Sequence, residues 1–416
     1  MKTPRSFRWQ VGLWRYVGLV TALSCAFGSA DAQDRLVGLR ALSGGVVYEQ
    51  VRFGGEGLLQ GGVAGADSTR ITQATQITFP ISAAMPLGRN FTLDITTIYS
   101  AGEIRFTSAV GGAERTASLT GLSDVRVRTS GRFFDDALIF TVGVNAPTGR
   151  TELDSAEVAA LRVLAAPALA LGAVPLGSGL SGTVGMLTAQ QVGNWAVAAG
   201  AAYEYRGTYQ PVAALASGAP SADFQPGGVI RLSIGADRLL GKHRLTLTAA
   251  GDLFQADELR GPMTSSAPLA KVQLGPIYSA DAQLQLGIPR LRDLTLWSAV
   301  RYRSSFSRDD ITVDNSSGFY YDGGVRTTVP LAPRSDLILA LDGRYQSGLA
   351  IDAGLPTSGV TSTSATLGFS QRVGTLAVQP FVRASVGRVQ ARGAARSLQQ
   401  ADFTGLAGGL VIISRF

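Results

Sequence analysis

The sequence predicts an all-β fold: a transmembrane antiparallel up-and-down β-barrel of about sixteen strands, with short turns on one side and longer loops on the other. Three observations predict it. Residues 403–416 alternate strictly and end on Phe416, a basic amino terminus is followed by a short apolar run, and 45% of the chain is hydrophobic without a stretch long enough for a spanning helix. Apolar surface is therefore distributed by alternation, and in lipid only helices and closed barrels satisfy every backbone group.

The carboxy-terminal strand carries Leu410, Ile412 and Phe416 on one face and Val411, Ile413 and Arg415 on the other. An open strand of this kind invites aggregation, whereas a closed barrel pairs it with its own first strand. Leu410, Ile412 and Phe416 resemble the sorting signal of bacterial outer-membrane proteins, in which a terminal Phe is preceded at alternate positions by apolar residues. Ser414 departs from that pattern, which has Tyr or another large residue there.

At the other end, Lys2, Arg5, Arg8 and Arg15 precede an apolar run from Tyr16 to Phe27 and then Ala30-Asp31-Ala32. This pattern predicts a secretory signal peptide over residues 1–32, since its run of about twelve residues is short of the roughly twenty a membrane helix needs. The lone cysteine, Cys25, lies inside it. The expected mature chain, 33–416, then lacks disulfides, thiolate chemistry and cysteine metal sites. Of the net charge of +7, about +3 falls in the signal peptide, and the rest is too dispersed to suggest nucleic acid.

Period-two segments follow along the chain near 44–53, 69–84, 91–106, 119–133, 137–147, 179–190, 194–209, 228–239, 244–256, 269–288, 294–305, 318–331, 337–349, 361–373, 376–390 and 403–416. The short connections, such as Gly193-Asn194, Leu240-Gly241-Lys242 and Gly374, are expected at the periplasm. Longer ones, such as Gly54 to Ser68 and Pro211 to Pro226, are expected outside. Residues 33–68 leave an alternative of fourteen strands with an amino-terminal plug.

Parity assigns the faces. Near 269–288, Val272, Leu274, Tyr278, Ala282 and Leu284 share the lipid side, while Gln273, Asp281 and Gln283 share the lumen side. The same parity turns Asp94, Arg126, Arg128, Arg231, Asp237, Asp252, Asp281, Arg301, Arg303, Asp322, Arg326, Asp342, Arg344 and Arg383 inward, because a charge on the lipid face at mid-depth costs about 2 to 4 kcal/mol. These residues either brace the barrel as Arg-Asp ladders or line a polar path. Tyr203, Tyr205, Tyr209, Tyr302, Phe319, Tyr321 and Tyr345 suit interfacial belts.

Residues 147–179 break the alternation and form the irregular third external loop. Asp154 and Glu157 have capping-box spacing, and Val158, Leu161 and Leu164 share an apolar helical face. Such a helix packs over the barrel mouth, lines a landing site for an apolar substrate, or folds inward as a constriction.

Thr120-Gly121-Leu122-Ser123-Asp124-Val125, followed by Asn145-Ala146-Pro147-Thr148-Gly149 and by Gly193-Asn194-Trp195, resembles the pattern of outer-membrane proteins encoded with aromatic meta-cleavage pathways. Those are similar to fatty-acid and hydrocarbon transporters. The resemblance implies passive uptake of small hydrophobic or aromatic molecules across the outer membrane of a Gram-negative-type bacterium. The partners it implies are outer-membrane lipid, the barrel-assembly machinery and a small-molecule solute. The Asn-Pro-Ala motif of fatty-acid transporters is missing from the expected mature amino terminus. A general diffusion porin for hydrophilic solutes and a structural or adhesive barrel are the alternatives. No catalytic, cofactor or metal site is expected, since His243 is the only histidine and falls in a turn.

Overall fold

The computed structural model describes residues 41–55, 58–60, 69–108, 112–134, 136–151, 153–165, 169, 171–172, 176–210, 223–260, 270–314, 316–349, 358–392 and 398–415. The expected signal peptide and Phe416 lie outside them. In chain order the extended segments are β1 (Ala41–Phe53), β2 (Leu58–Gln60), β3 (Thr69–Leu87), β4 (Phe91–Ser108), β5 (Arg115–Leu122), β6 (Val125–Phe133), β7 (Leu138–Ala146), β8 (Ser181–Val192) and β9 (Trp195–Arg206). They continue as β10 (Asp223–Gln225), β11 (Val229–Leu240), β12 (His243–Phe254), β13 (Asp257–Arg260), β14 (Ala270–Gln273), β15 (Ile277–Leu286), β16 (Asp293–Arg303), β17 (Ser307–Arg308) and β18 (Ile311–Thr312). The last five are β19 (Gly318–Ala332), β20 (Ser335–Leu349), β21 (Ser358–Val373), β22 (Leu376–Arg392) and β23 (Leu398–Arg415). Among the described residues one helix, α1 (Ser155–Leu164), interrupts the strands.

These segments close an antiparallel barrel of sixteen staves. Each stave pairs with its neighbour in sequence, and β5 and β6 together form one stave against β4. Closure comes from β1, which pairs with β23 from Ala41↔Arg415 to Phe53↔Phe403 and with β3 on its other side. The amino-terminal segment from Ala41 is thus wall rather than plug, because its alternation matches a strand with both edges paired. Among the tight turns, Gly193 and Gly241 take positive φ of 60° and 63°, as the first position of a two-residue hairpin demands.

Two departures from strict alternation reshape the mouth. The segment expected as one strand over 269–288 breaks at Gly275-Pro276, where a β-carbon on Gly275 would overlap the Ser304 carbonyl. Val272 and Leu274 therefore leave the lipid face, and β14 joins β10, β13, β17 and β18 in a separate five-stranded rim sheet. The second break, at Ser123-Asp124, separates β5 from β6 and positions the site below.

The outer wall is apolar: Leu42, Ile77, Ile81, Leu232, Ile234, Leu341, Leu367 and Val382 are all exposed on it. The register aligns Tyr278 with Tyr302 and Tyr302 with Phe319, and next to them Tyr321 with Tyr345. That row of amphipathic rings is an interfacial girdle. At the other rim the rings of Phe91 and Phe133 meet at 5.9 Å, and Arg238 lies 5.3 Å above the Trp195 ring.

Candidate functional site

The site grows from the break between β5 and β6. Asp124 is buried there, and its carboxylate accepts the Gly149 N–H at 3.0 Å, the Ser178 N–H at 2.7 Å and the Ser178 hydroxyl at 2.9 Å. Gly149 and Gly177 approach so closely that a β-carbon on Gly177 would lie 2.6 Å from the Gly149 carbonyl oxygen. Thr148 Oγ1 accepts the Val125 N–H at 2.9 Å. One carboxylate thus ties together the departure and the return of the chain between β7 and β8. A charged acceptor with three donors is the strong form of hydrogen bond.

Between those tied ends the chain turns into the barrel. Asp154 caps α1 by accepting the Glu157 N–H at 2.8 Å, and the Glu157 carboxylate accepts the Asp154 N–H at 3.0 Å, completing the capping box. Glu157 also accepts two hydrogen bonds from the Arg150 guanidinium, at 2.6 and 3.0 Å. Leu153, Ala160, Val163, Leu164, Leu169 and Leu171 are buried in one cluster with Val51, Phe53, Ala74, Ile104, Leu119 and Phe403. The latter are inward-facing residues of β1, β3, β4, β5 and β23, so the helix is seated inside the barrel and not over its mouth.

That position corrects two readings. Of the expected helical face, Leu164 is buried, whereas Val158 and Leu161 are only partly covered and pack at the cluster's margin. The stripe that enters the core is Ala160, Val163 and Leu164, because the helix meets a concave wall and presents its small residue to it. Gly172, beyond the helix in sequence, donates its N–H to Glu49 Oε2 at 2.7 Å. Glu49 lies on the inner face of β1, and a pocket opens beside it between Leu169, Leu171 and Phe403 on one side and Arg344, Arg383 and Ser364 on the other.

The register places every residue singled out for the lumen on the inner face. Several are paired. Arg231 Nε donates to Asp252 at 2.7 Å, Arg344 Nε to Asp322 at 2.6 Å, and Arg383 Nη2 to Asp342 at 3.1 Å and to Ser364 at 2.9 Å. Arg244 closes on Asp237, and Thr248 donates to Asp281 at 3.3 Å. Asp94 is aligned with Arg128, and Arg301 with Tyr320. Arg126, Arg128, Arg301, Arg303 and Arg326 have no salt bridge among the described residues. Leu410 and Ile412 of the last strand point outward, Ile412 being exposed.

Outside the membrane-spanning wall, the Asp257 carboxylate accepts the Gly227 N–H at 2.7 Å, and burial lifts its pKa above the usual aspartate value. His243 opens β12 at the tight-turn end of the barrel, where its Nδ1 accepts the Gly287 N–H at 3.3 Å.

Sequence reasoning passed over Glu49, Leu169, Leu171, Gly172 and the clamping role of Asp124. Glu49 was within reach, since it alternates with Val47 and Val51 on the face opposite Tyr48. For Leu169 and Leu171 the sequence carries no signal of inward course.

No protein-family model matches the chain, and no curated protein matches its sequence. Solved structures that it resembles include OprB of Pseudomonas putida, 13% identical over 93% of this chain and 96% of that one, with a TM-score of 0.43. The outer membrane protein OpdK of Pseudomonas aeruginosa is 10% identical over 90% and 99%, with a TM-score of 0.43. A FadL homologue of Pseudomonas aeruginosa is 10% identical over 95% and 94%, with a TM-score of 0.42. The functional reading of this chain rests on its own geometry.

Proposed function

We propose that this chain is an outer-membrane channel through which small molecules with a hydrophobic or aromatic body cross passively. The observation that carries the reading is the pocket inside the barrel, where Leu169, Leu171 and Phe403 face Arg344, Arg383 and Ser364. The cleft is narrow and its lining mixed, with Glu49, Arg344, Arg383, Ser362, Ser364 and Ser385 beside the apolar side chains, and such convergent polar groups orient a small molecule. Placed in a lumen, the cleft gives a solute a step between the mouth and the far rim. On this reading the chain catalyses nothing, and its partners are outer-membrane lipid, the barrel-assembly machinery during insertion, and the solute.

A general diffusion porin for hydrophilic solutes is the second reading, favoured by the arginines on β6, β16 and β19 that the inserted segment leaves uncovered. Uptake by porin-poor cells expressing the chain separates the two. Labelled benzyl alcohol entering several-fold faster than in cells without the channel, with a smaller gain for arabinose, supports the first. The reverse order contradicts it and supports the porin.

A further inference from the structure

The inner wall is chemically divided. The segment between β7 and β8 covers the inner faces of β1, β3, β4 and β5 with apolar contacts, whereas β6, β16 and β19 keep free arginines. Beside the inserted Leu169 and Leu171 the cations are neutralised: Arg344 on β20 by Asp322 on β19, and Arg383 on β22 by Asp342 on β20, with Glu49 on β1 adding a further carboxylate.

The uncovered side is different. Of its carboxylates, Glu204 and Asp252 are engaged by Arg206, at 3.2 Å, and Arg231, Asp237 is engaged by Arg244, and Asp281 accepts the Thr248 hydroxyl. Asp94 stands beside Arg128 in the register, and Asp293 lies one row from Arg326, but neither closes to salt-bridging distance. That leaves Arg126, Arg128, Arg301, Arg303 and Arg326 unpaired, with Arg301 and Arg303 flanking the inward phenol of Tyr320. The Nε atoms of Arg303 and Arg326 are buried with no hydrogen-bond partner among the described residues. A guanidinium with free donors in a fixed fork matches a carboxylate.

Resting on the channel reading above, we propose that the uncovered wall selects anions, so that the favoured solutes are small organic anions with an apolar body and a carboxylate head. Counted along the strands from the tight-turn end, Arg301 and Arg303 lie farther up β16 than Arg126 and Arg128 do up β6, so an anion leaving the first pair meets the second on its way in. Focused charge in a low-dielectric conduit raises the local concentration of counter-ions, and rings or rows of Arg are the usual basis of anion preference.

The test is the reversal potential of the refolded protein in planar bilayers under a gradient of potassium chloride, and then of potassium benzoate. The expected result is anion selectivity, with chloride favoured over potassium by about threefold or more, and benzoate also favoured over potassium. The fourfold variant Arg126→Gln, Arg128→Gln, Arg301→Gln, Arg303→Gln brings the ratio toward unity, and its heat-modifiable migration in gels shows that it still folds. A conducting protein that is cation-selective, or whose selectivity the variant leaves unchanged, overturns the proposal. A barrel shown to be inserted but silent overturns the channel reading itself.

Discussion

Leu164, in the last turn of α1, stands against the bare backbone of Gly102 on β4. A β-carbon on Gly102 would lie 2.5 Å from Leu164 Cδ1, so the seating of the helix in the lumen depends on a side chain that is absent. The branched end of Leu164 fills the space a larger residue would take, and the backbone of β4 is held by pairing on both sides.

Gly102→Val should therefore unseat the helix while leaving the barrel intact. Overpacking costs about 1 to 3 kcal/mol, enough to populate a displaced segment. Trypsin should nick the region between β7 and β8 faster than in the native protein, and unitary conductance should rise. Unchanged nicking and conductance would show that the contact does not hold the helix.

Asp124→Ala removes an acceptor shared by Gly149, the Ser178 amide and the Ser178 hydroxyl. Each donor left buried and unsatisfied costs about 1 to 3 kcal/mol. The expected outcome is loss of amide-exchange protection at Gly149 and Ser178, with the barrel strands still protected. Equal protection in variant and native protein would contradict the clamp.

Leu341 is exposed on the outer face in the middle of β20, and its neighbour Asp342 points inward. Leu341→Arg should lower folding stability in vesicles by about 2 to 4 kcal/mol, read by denaturant titration. Asp342→Asn should lower it less, because that position faces the aqueous lumen. An arginine tolerated at 341 would sink the assignment of faces.

In the rim sheet, burial lifts the Asp257 pKa above its ordinary 3.8, which means the folded rim binds that proton more tightly than the unfolded chain does. The sign follows by linkage: between 3.8 and the raised value the rim loses stability as pH rises and gains it as pH falls. Hydrogen exchange at Gly227, corrected for its intrinsic pH dependence, should slow on acidification through that window. Asp257→Asn should flatten the response, and a response that survives in that variant would assign it elsewhere.

The wall was legible because alternation is a local signal. Each stave, from 44–53 to 403–416, shows its two faces in its own residues, and the cost of charge in lipid decides which face turns in. The rim sheet was not, because Val272 and Leu274 continue the alternation of Tyr278 and Leu284 even though Gly275-Pro276 interrupts the strand. For the loop, Asp154 and Glu157 announce a helix, but its destination depends on Gly102, Ile104 and Leu119. Those inner-wall residues are small or apolar where a water-filled lumen would have them polar, and only the closed barrel brings them under one helix. The Thr120 to Val125 and Asn145 to Gly149 motifs were visible as sequence. Their joining through Asp124 needed the fold.

The most direct test of the central claim, that the segment between β7 and β8 narrows the lumen, is single-channel conductance of the native protein beside a variant with 153–176 replaced by a short Gly-Ser linker. The account predicts that both insert and that the variant conducts in clearly larger steps. Equal steps from two correctly inserted barrels would contradict it, because the segment would then lie outside the path of the ions.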